Sequence, residues 1–254
     1  EMLQGMQMGT LDEGVITGTQ IRTIDPSFQV LDLPFLFGSN AQAHRVLDGE
    51  AGKNLLAKLE KKGIVGLGFS EAGFRHTVNN TRPINEPQDF SGIKLRVQPS
   101  SLYIDSFKAV GSNPVALPWS EAFTAVQQKT VDGLEIPLAV IYANKYASEV
   151  KYLSLTNHTY NALGLLMSQR SLNKLSPEKQ EIVRKAAAKA IERQRATVAQ
   201  NDQNLLGKIQ AEGMQVNQIN DVEVFREVVK PIYDEYRTKI GAETFDQVMT
   251  QIAE

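Results

Sequence analysis

Polar and apolar residues alternate over Lys94-Leu95-Arg96-Val97, between Gly92 and Pro99, and this period of two predicts a short, half-buried strand. Glu13 to Gln20 is also strand-like. Ile64 to Phe69 and Phe74 to Val78 read as two strands, and Pro114 to Leu117 and Val131 to Glu135 as two more. Helical spacing marks Ala41 to Leu47, Asn54 to Lys62, Ser101 to Val110, Ser120 to Gln128 and Leu138 to Tyr146. Leu31 to Phe37 is an apolar segment containing Pro34. Glu1 to Gln7 reads as the interior of a helix already under way, with no cap, so the chain starts as if cut. Strands alternating with helices of this length predict an α/β architecture with mainly parallel sheets.

From Lys151 to Ser168 the rhythm breaks. Leu153, Leu155, Leu163, Leu165 and Leu166 form two extended apolar runs separated by Asn157-His158-Thr159-Tyr160-Asn161, which predicts one long strand passing between two sheets. A helix start follows, with Ser176 as N-cap, Pro177 at the first helical position and Glu178 matching the helix dipole. Apolar positions from Val183 to Ile209 keep the helical period to about Gly213, a rod of roughly 50 Å that is longer than one small domain. Met214 to Ile219 then reads as a strand, Asp221 to Tyr236 as a helix and Thr244 to Ile252 as a last helical stretch. No flexible linker interrupts the chain, so two domains would be joined by several ordered crossings. Such a geometry makes a cleft, where small molecules bind.

Composition narrows the class. The 254 residues are 42% hydrophobic with a net charge of -2, and no run of eighteen apolar residues marks a membrane span. The length fits two domains or one large one. The charges are nearly balanced with no basic stripe, which argues against nucleic acid. Cysteine is absent, which removes disulfides, thiolate catalysis and cysteine-bound zinc and fits an oxidising compartment.

Catalytic motifs are weak. Gly68-Phe69-Ser70-Glu71-Ala72 resembles a nucleophile elbow, but a second strand follows where the elbow needs a helix. Gly66-x-Gly68 meets Glu71 where a dinucleotide fingerprint needs its third glycine. His44, His76 and His158 show no metal-ligand spacing, so no metal is expected. Asp132 and Glu135 lie three apart on a predicted strand, hence on opposite faces, and should not work as an acid/base pair. Glu135 instead sits near the C-terminal end of its strand, where ligands of open α/β sheets gather, or serves only as a hydrogen-bonding residue there. Arg96 has two readings as well. A guanidinium aimed into a cleft matches a carboxylate bidentately and stays charged, whereas on a surface strand it would form an ordinary salt bridge.

Phe74-Arg75, Arg82-Pro83-Ile84, Gly92-Ile-Lys-Leu-Arg96-Val, Phe107-Lys-Ala-Val-Gly-Ser-Asn-Pro114, Trp119-Ser-Glu-Ala-Phe, Val131-Asp-Gly and Lys151-Tyr-Leu-Ser-Leu-Thr-Asn-His158 occur in this order. Together with Leu33-Pro34-Phe35-Leu36-Phe37 and the long helix after Ser176, they resemble the solute-receptor subunits of TRAP transporters (tripartite ATP-independent periplasmic transporters) across essentially the whole chain. The resemblance implies a periplasmic receptor, expected as a monomer. It would close two α/β lobes over a small organic acid and deliver it to the membrane permease subunits, without cofactor or catalysis. It further implies that lobe I comprises residues 1–72 and 163–201, lobe II residues 73–162 and 202–254, and that the long helix braces both. Arg96 would pair with the ligand carboxylate, Arg75 would assist and Trp119 would wall the pocket; Glu135, Ile136 and Gln20 complete the expected ligand-binding residues. As a plain reading of its type, Trp119 would be a core or helix-capping aromatic.

Two departures change the expectation. Many family members carry asparagine in the segment that here reads Leu134-Glu135-Ile136-Pro137, and Ile136 cannot donate a hydrogen bond. That disfavours a ligand such as a sialic acid and favours a less polar body beside the carboxylate. The strand-helix-strand that opens family members is also expected to be missing here, which would leave the first sheet with an exposed edge. Two rival readings are a sensory module using the same pocket, separable by its partner, and an α/β enzyme, separable by turnover of the bound acid.

Overall fold

The structure, a computed structural model, describes residues 1–253. The chain opens with α1 (Met2–Met8), which ends at Gly9 in the left-handed conformation (φ 75°) that favours glycine. β1 (Glu13–Thr17) and α2 (Gly18–Ile21) follow, so the strand predicted to Gln20 turns into a helical turn three residues early. The apolar segment around Pro34 is preceded by a 3-10 helix, Pro26–Asp32. Then come α3 (Asn40–Asp48), α4 (Glu50–Lys58) and β2 (Ile64–Asn79). β3 (Lys94–Val97), α5 (Ser101–Ala109), β4 (Asn113–Ala116), α6 (Trp119–Gln127), β5 (Gly133–Pro137) and α7 (Leu138–Ala143) form the next run. β6 (Tyr152–Ser168), α8 (Gln169–Asn173), α9 (Pro177–Ala211), β7 (Gln215–Gln218), α10 (Val222–Ile240) and α11 (Ala242–Ala253) complete it.

The seven strands lie in one open sheet, ordered β1-β6-β2-β5-β3-β4, with β7 also paired to β6. The expectation of mainly parallel sheets is corrected here. β1–β6, β2–β6 and β2–β5 are antiparallel, and only β3–β4, β3–β5 and β6–β7 are parallel. The cause is the length of two strands. β2 is one 16-residue strand where the pattern suggests two, and it runs antiparallel beside the 17-residue β6. Its register against β6 shifts at Gly66/Gly68, Glu71/Phe74 and Arg75/Thr77. Gly68 (φ 146°) and Gly73 (φ 79°) take backbone conformations that L side chains resist, and a Cβ on Gly68 would stand 2.6 Å from Ile191 Cδ1 of α9. These glycines let the strand bend without ending.

Apolar side chains divide into two main clusters. One joins the early helices to α5, α10 and α11 through Phe28, Leu55, Phe69, Tyr160, Phe225 and Tyr236. The other packs Val126, Leu134, Ile141 and Tyr146 against Leu153, Ile209 and Met214. Each fully buried leucine or phenylalanine among them contributes about 1.5–3 kcal/mol of apolar burial. α9 begins as its signals predict, with Ser176 Oγ accepting from the Lys179 amide at 3.4 Å, and its 35 residues run against both β2 and α7. Arg195 anchors it to α3 through Asp48 and to β2 through the Phe69 carbonyl. α10 packs on α5, and α11 on α3 and α4.

Candidate functional site

A cleft of about 550 Å³ opens where β3, β4 and β5 end and where β2 and β6 cross from one cluster to the other. Its lining comes from strand ends: Thr17 closes β1, Gln98 follows β3, Trp119 follows β4 and Pro137 ends β5. That is the edge at which ligands of open α/β sheets gather. Of the residues expected from the sequence, Gln20, Arg75, Arg96, Trp119 and Ile136 all line this cleft. Glu135 does not; it is fully buried behind Arg75.

The two arginines differ in one respect. Arg75, in the middle of β2, is held from three sides. Its Nε donates to Glu135 Oε2, its Nη2 to Glu135 Oε1 at 2.9 Å and to the Glu135 carbonyl at 2.7 Å, and its Nη1 to Asn161 Oδ1 at 3.0 Å. Burial alone would push the Glu135 carboxyl up, but the Arg75 charge and hydrogen bonds from His158 and Arg75 bring it down to about 2. His158 completes the group, with Nε2 at 3.3 Å from Glu135 Oε2 and Nδ1 at 2.8 Å from Thr156 Oγ1. The Arg75 charge is therefore already matched.

Arg96 is not matched. It sits on β3, flanked by β4 and β5 in register with Val115 and Leu134, and is only 2% exposed. Its Nε and Nη2 donate to one carbonyl, that of Leu117, at 3.0 and 2.8 Å. No carboxylate lies within ion-pair distance of it among the described residues. Burial lowers its pKa, and the Glu135 charge, spent on Arg75, offsets this only in part, so the guanidinium is held out of water with no carboxylate in contact. Trp119, 49% exposed at the first turn of α6, places its ring 5.9 Å from the Arg96 guanidinium carbon, close enough for a cation–π contact.

The rest of the cleft is mixed. Ile136, Pro137, Val140 and Leu163 supply apolar wall. Thr17, Gln98, Asn144 and Asn161 supply polar groups that the sequence reasoning missed. Among the described residues the buried Thr17 Oγ1 and Gln98 Nε2 have no hydrogen-bond partner. A signal for Asn161 existed: it lies in the polar interruption between the two apolar runs of β6. Gln98 is signalled by its place directly after the strand that carries Arg96. The near-elbow serine, Ser70, lies inside β2 with its hydroxyl 3.3 Å from the Leu163 carbonyl, and no turn presents it as a nucleophile.

Residues 1–239 match the family described as bacterial extracellular solute-binding protein, family 7. The chain is 34% identical over 215 residues to the 2,3-diketo-L-gulonate-binding periplasmic protein of Escherichia coli (strain K12), covering 85% of this chain and 66% of that protein. It superposes with a TM-score of 0.94 on the sugar acid binding protein of Advenella mimigardefordensis strain DPN7T in complex with galactonate, at 35% identity and covering 99% of this chain and 82% of that one. A TRAP periplasmic solute binding protein from Polaromonas sp. JS666 bound to D-erythronate gives a TM-score of 0.93 at 36% identity, covering 98% and 82%.

Proposed function

Because the chain belongs to the bacterial extracellular solute-binding proteins of family 7, we propose that this cleft captures a small organic acid by its carboxylate and that Arg96 is the residue that holds it. The protein is a periplasmic receptor of a TRAP transporter and not an enzyme; its partners are its acid and the membrane permease subunits. One observation supports the assignment to Arg96 above the rest: a buried guanidinium faces the cleft without a counter-charge, while Arg75 beside it is neutralised by Glu135. The anion that would balance Arg96 belongs to the ligand. Arg75 then shapes the cleft wall, and Glu135 acts from behind Arg75 rather than by touching the acid.

The relatives described above take diketogulonate, galactonate and erythronate, each a hydroxylated acid with one carboxylate. Thr17 Oγ1 and Gln98 Nε2 suit hydroxyl groups of such a ligand, with Gln20 at the mouth. Ile136, Pro137 and Val140 suit its carbon-rich face. The two lobes, residues 1–72 with 163–201 and 73–162 with 202–254, would close by bending β2 and β6. α11, packed on α3 and α4, and α10, packed on α5 and on the 3-10 helix Pro26–Asp32, would strap the second lobe back onto the first. Closure excludes water from the Arg96–carboxylate pair, where a hydrogen bond to a charged group is worth about 1.5–3 kcal/mol.

A thermal-shift screen of the whole chain against galactonate, D-erythronate and C4-dicarboxylates, with Arg96→Ala in parallel, tests this. A ligand at a thousand times its Kd should add about 4 kcal/mol of stability. A shift with one acid class that vanishes in the variant is the expected result. A shift of equal size in both proteins would remove Arg96 from the assignment.

A further inference from the structure

Phe74 and His76 border a second cavity of about 510 Å³. Phe37, Asn157 of β6 and Asp202 of α9 help to close it. Two of its polar groups have no partner within the described protein. Asp202 makes no hydrogen bond or ion pair there, although α9 holds it against Gly73, where a Cβ would stand 3.0 Å from Asp202 Oδ2. His76 is 5% exposed, and its buried Nδ1 has no hydrogen-bond partner.

The charge of this cavity follows from its neighbours. Burial, with His158 and Arg75 nearby, pushes His76 down to about 3, so the ring is neutral and cannot balance Asp202. Arg226 lines the same space, but its Nη1 is bound to Glu223. Burial and the Glu71 carboxylate push Asp202 up to about 6, as expected for an acid without a cation beside it. Phe37 and Phe74 are both set edge-on against Tyr160, which fixes their rings.

We propose that this cavity is a second ligand site, for a small organic ammonium ion carrying a short apolar group. The ammonium donates to the Asp202 carboxylate, with the neutral His76 ring lining the same cavity. The apolar group lies against Phe37 and Phe74.

Titration calorimetry on the whole chain tests the site with benzylammonium as probe and benzyl alcohol as its uncharged counterpart. Benzylammonium should bind and benzyl alcohol should not. Asp202→Asn should weaken the ammonium at least about tenfold, as loss of a charged hydrogen-bond partner does. Arg96→Ala, which alters only the acid cleft, should leave ammonium binding unchanged. Should Asp202→Asn not fold, amide chemical shifts of the unaltered protein decide instead: benzylammonium should move Phe74, His76 and Asn157 and leave Arg96 in place. No binding of benzylammonium, unchanged binding in Asp202→Asn, or shifts centred on Arg96 would each overturn the site.

Discussion

Replacing Arg96 by alanine separates binding from folding, because its two consequences are of different size. For stability, the variant loses two N–H···O bonds to the Leu117 carbonyl, about 1–2 kcal/mol, but also removes a guanidinium that burial already disfavours. These terms oppose each other, so the melting temperature of the ligand-free protein should move little. For binding, nothing offsets the loss. Arg75 cannot substitute, since its charge is matched by Glu135 and its Nη1 is taken by Asn161. A ligand carboxylate left without its partner costs about 2–5 kcal/mol, which raises Kd by roughly 30-fold to several thousand-fold. Arg96→Lys should fall between, because an ammonium keeps the charge and loses the bidentate fork. Calorimetry with the acid found by screening, together with thermal melts of the free proteins, reads both quantities. A Kd within about threefold of the original, less than ~1 kcal/mol, in a folded Arg96→Ala protein would refute the reasoning.

The buried acids predict a shaped pH profile of stability. Glu135 has its folded pKa lowered from 4.5 to about 2, so its contribution is present above pH 4.5 and is lost as pH falls toward 2, about 3 kcal/mol in all. Asp32 has the opposite sign: burial raises it from 3.8 to about 7, so stability is fully present below pH 3.8 and is lost as pH rises through 7. Asp32→Asn should therefore abolish the decline toward neutral pH in denaturant melts; parallel profiles for the two proteins would contradict it. Glu135→Ala leaves Arg75 buried without its counter-charge and should cost about 3–5 kcal/mol in the same melts. Trp119→Ala should weaken acid binding by about 0.5–2 kcal/mol through the lost contact with Arg96, while the melting temperature of the half-exposed site stays unchanged. Gly133→Ala would place a Cβ 2.0 Å from the Val78 carbonyl on β2, so it should destabilise by about 3 kcal/mol or more; a neutral effect would mean that β5 can move away from β2.

Elements set by local signals were legible in the sequence. Ser176 and Pro177 start α9 where their chemistry demands, and the alternation around Arg96 gives β3 its limits. What sequence could not reveal depends on pairing across distance. The polar and small residues from Ser70 to Gly73 look like the gap between two strands, because local composition cannot show that β6 pairs with β2 on both sides of that gap. Once a single strand crosses it, the two expected sheets become one.

The same limit governs the site. Arg75 and Arg96 are alike in type and both lie on strands, so residue type and strand pattern do not rank them, and in the sequence only the family resemblance puts Arg96 first. The ranking comes from β2–β5 pairing, which sets Thr77 opposite Glu135 and Arg75 opposite Pro137. That register brings the Glu135 carboxylate onto the Arg75 guanidinium across 60 positions of chain. β3 meets β5 in a parallel register that sets Arg96 opposite Leu134, one residue before Glu135. Neighbouring residues on β5 face opposite ways, so Arg96 gains no carboxylate from that pairing. A one-residue slip of β5 would exchange these environments, neutralising Arg96 and leaving Arg75 unmatched. Carboxylate selectivity in this cleft is therefore a property of strand register as much as of the arginine itself. Substitutions that disturb β5, Gly133→Ala foremost, should raise Kd for the acid without altering any residue that touches it.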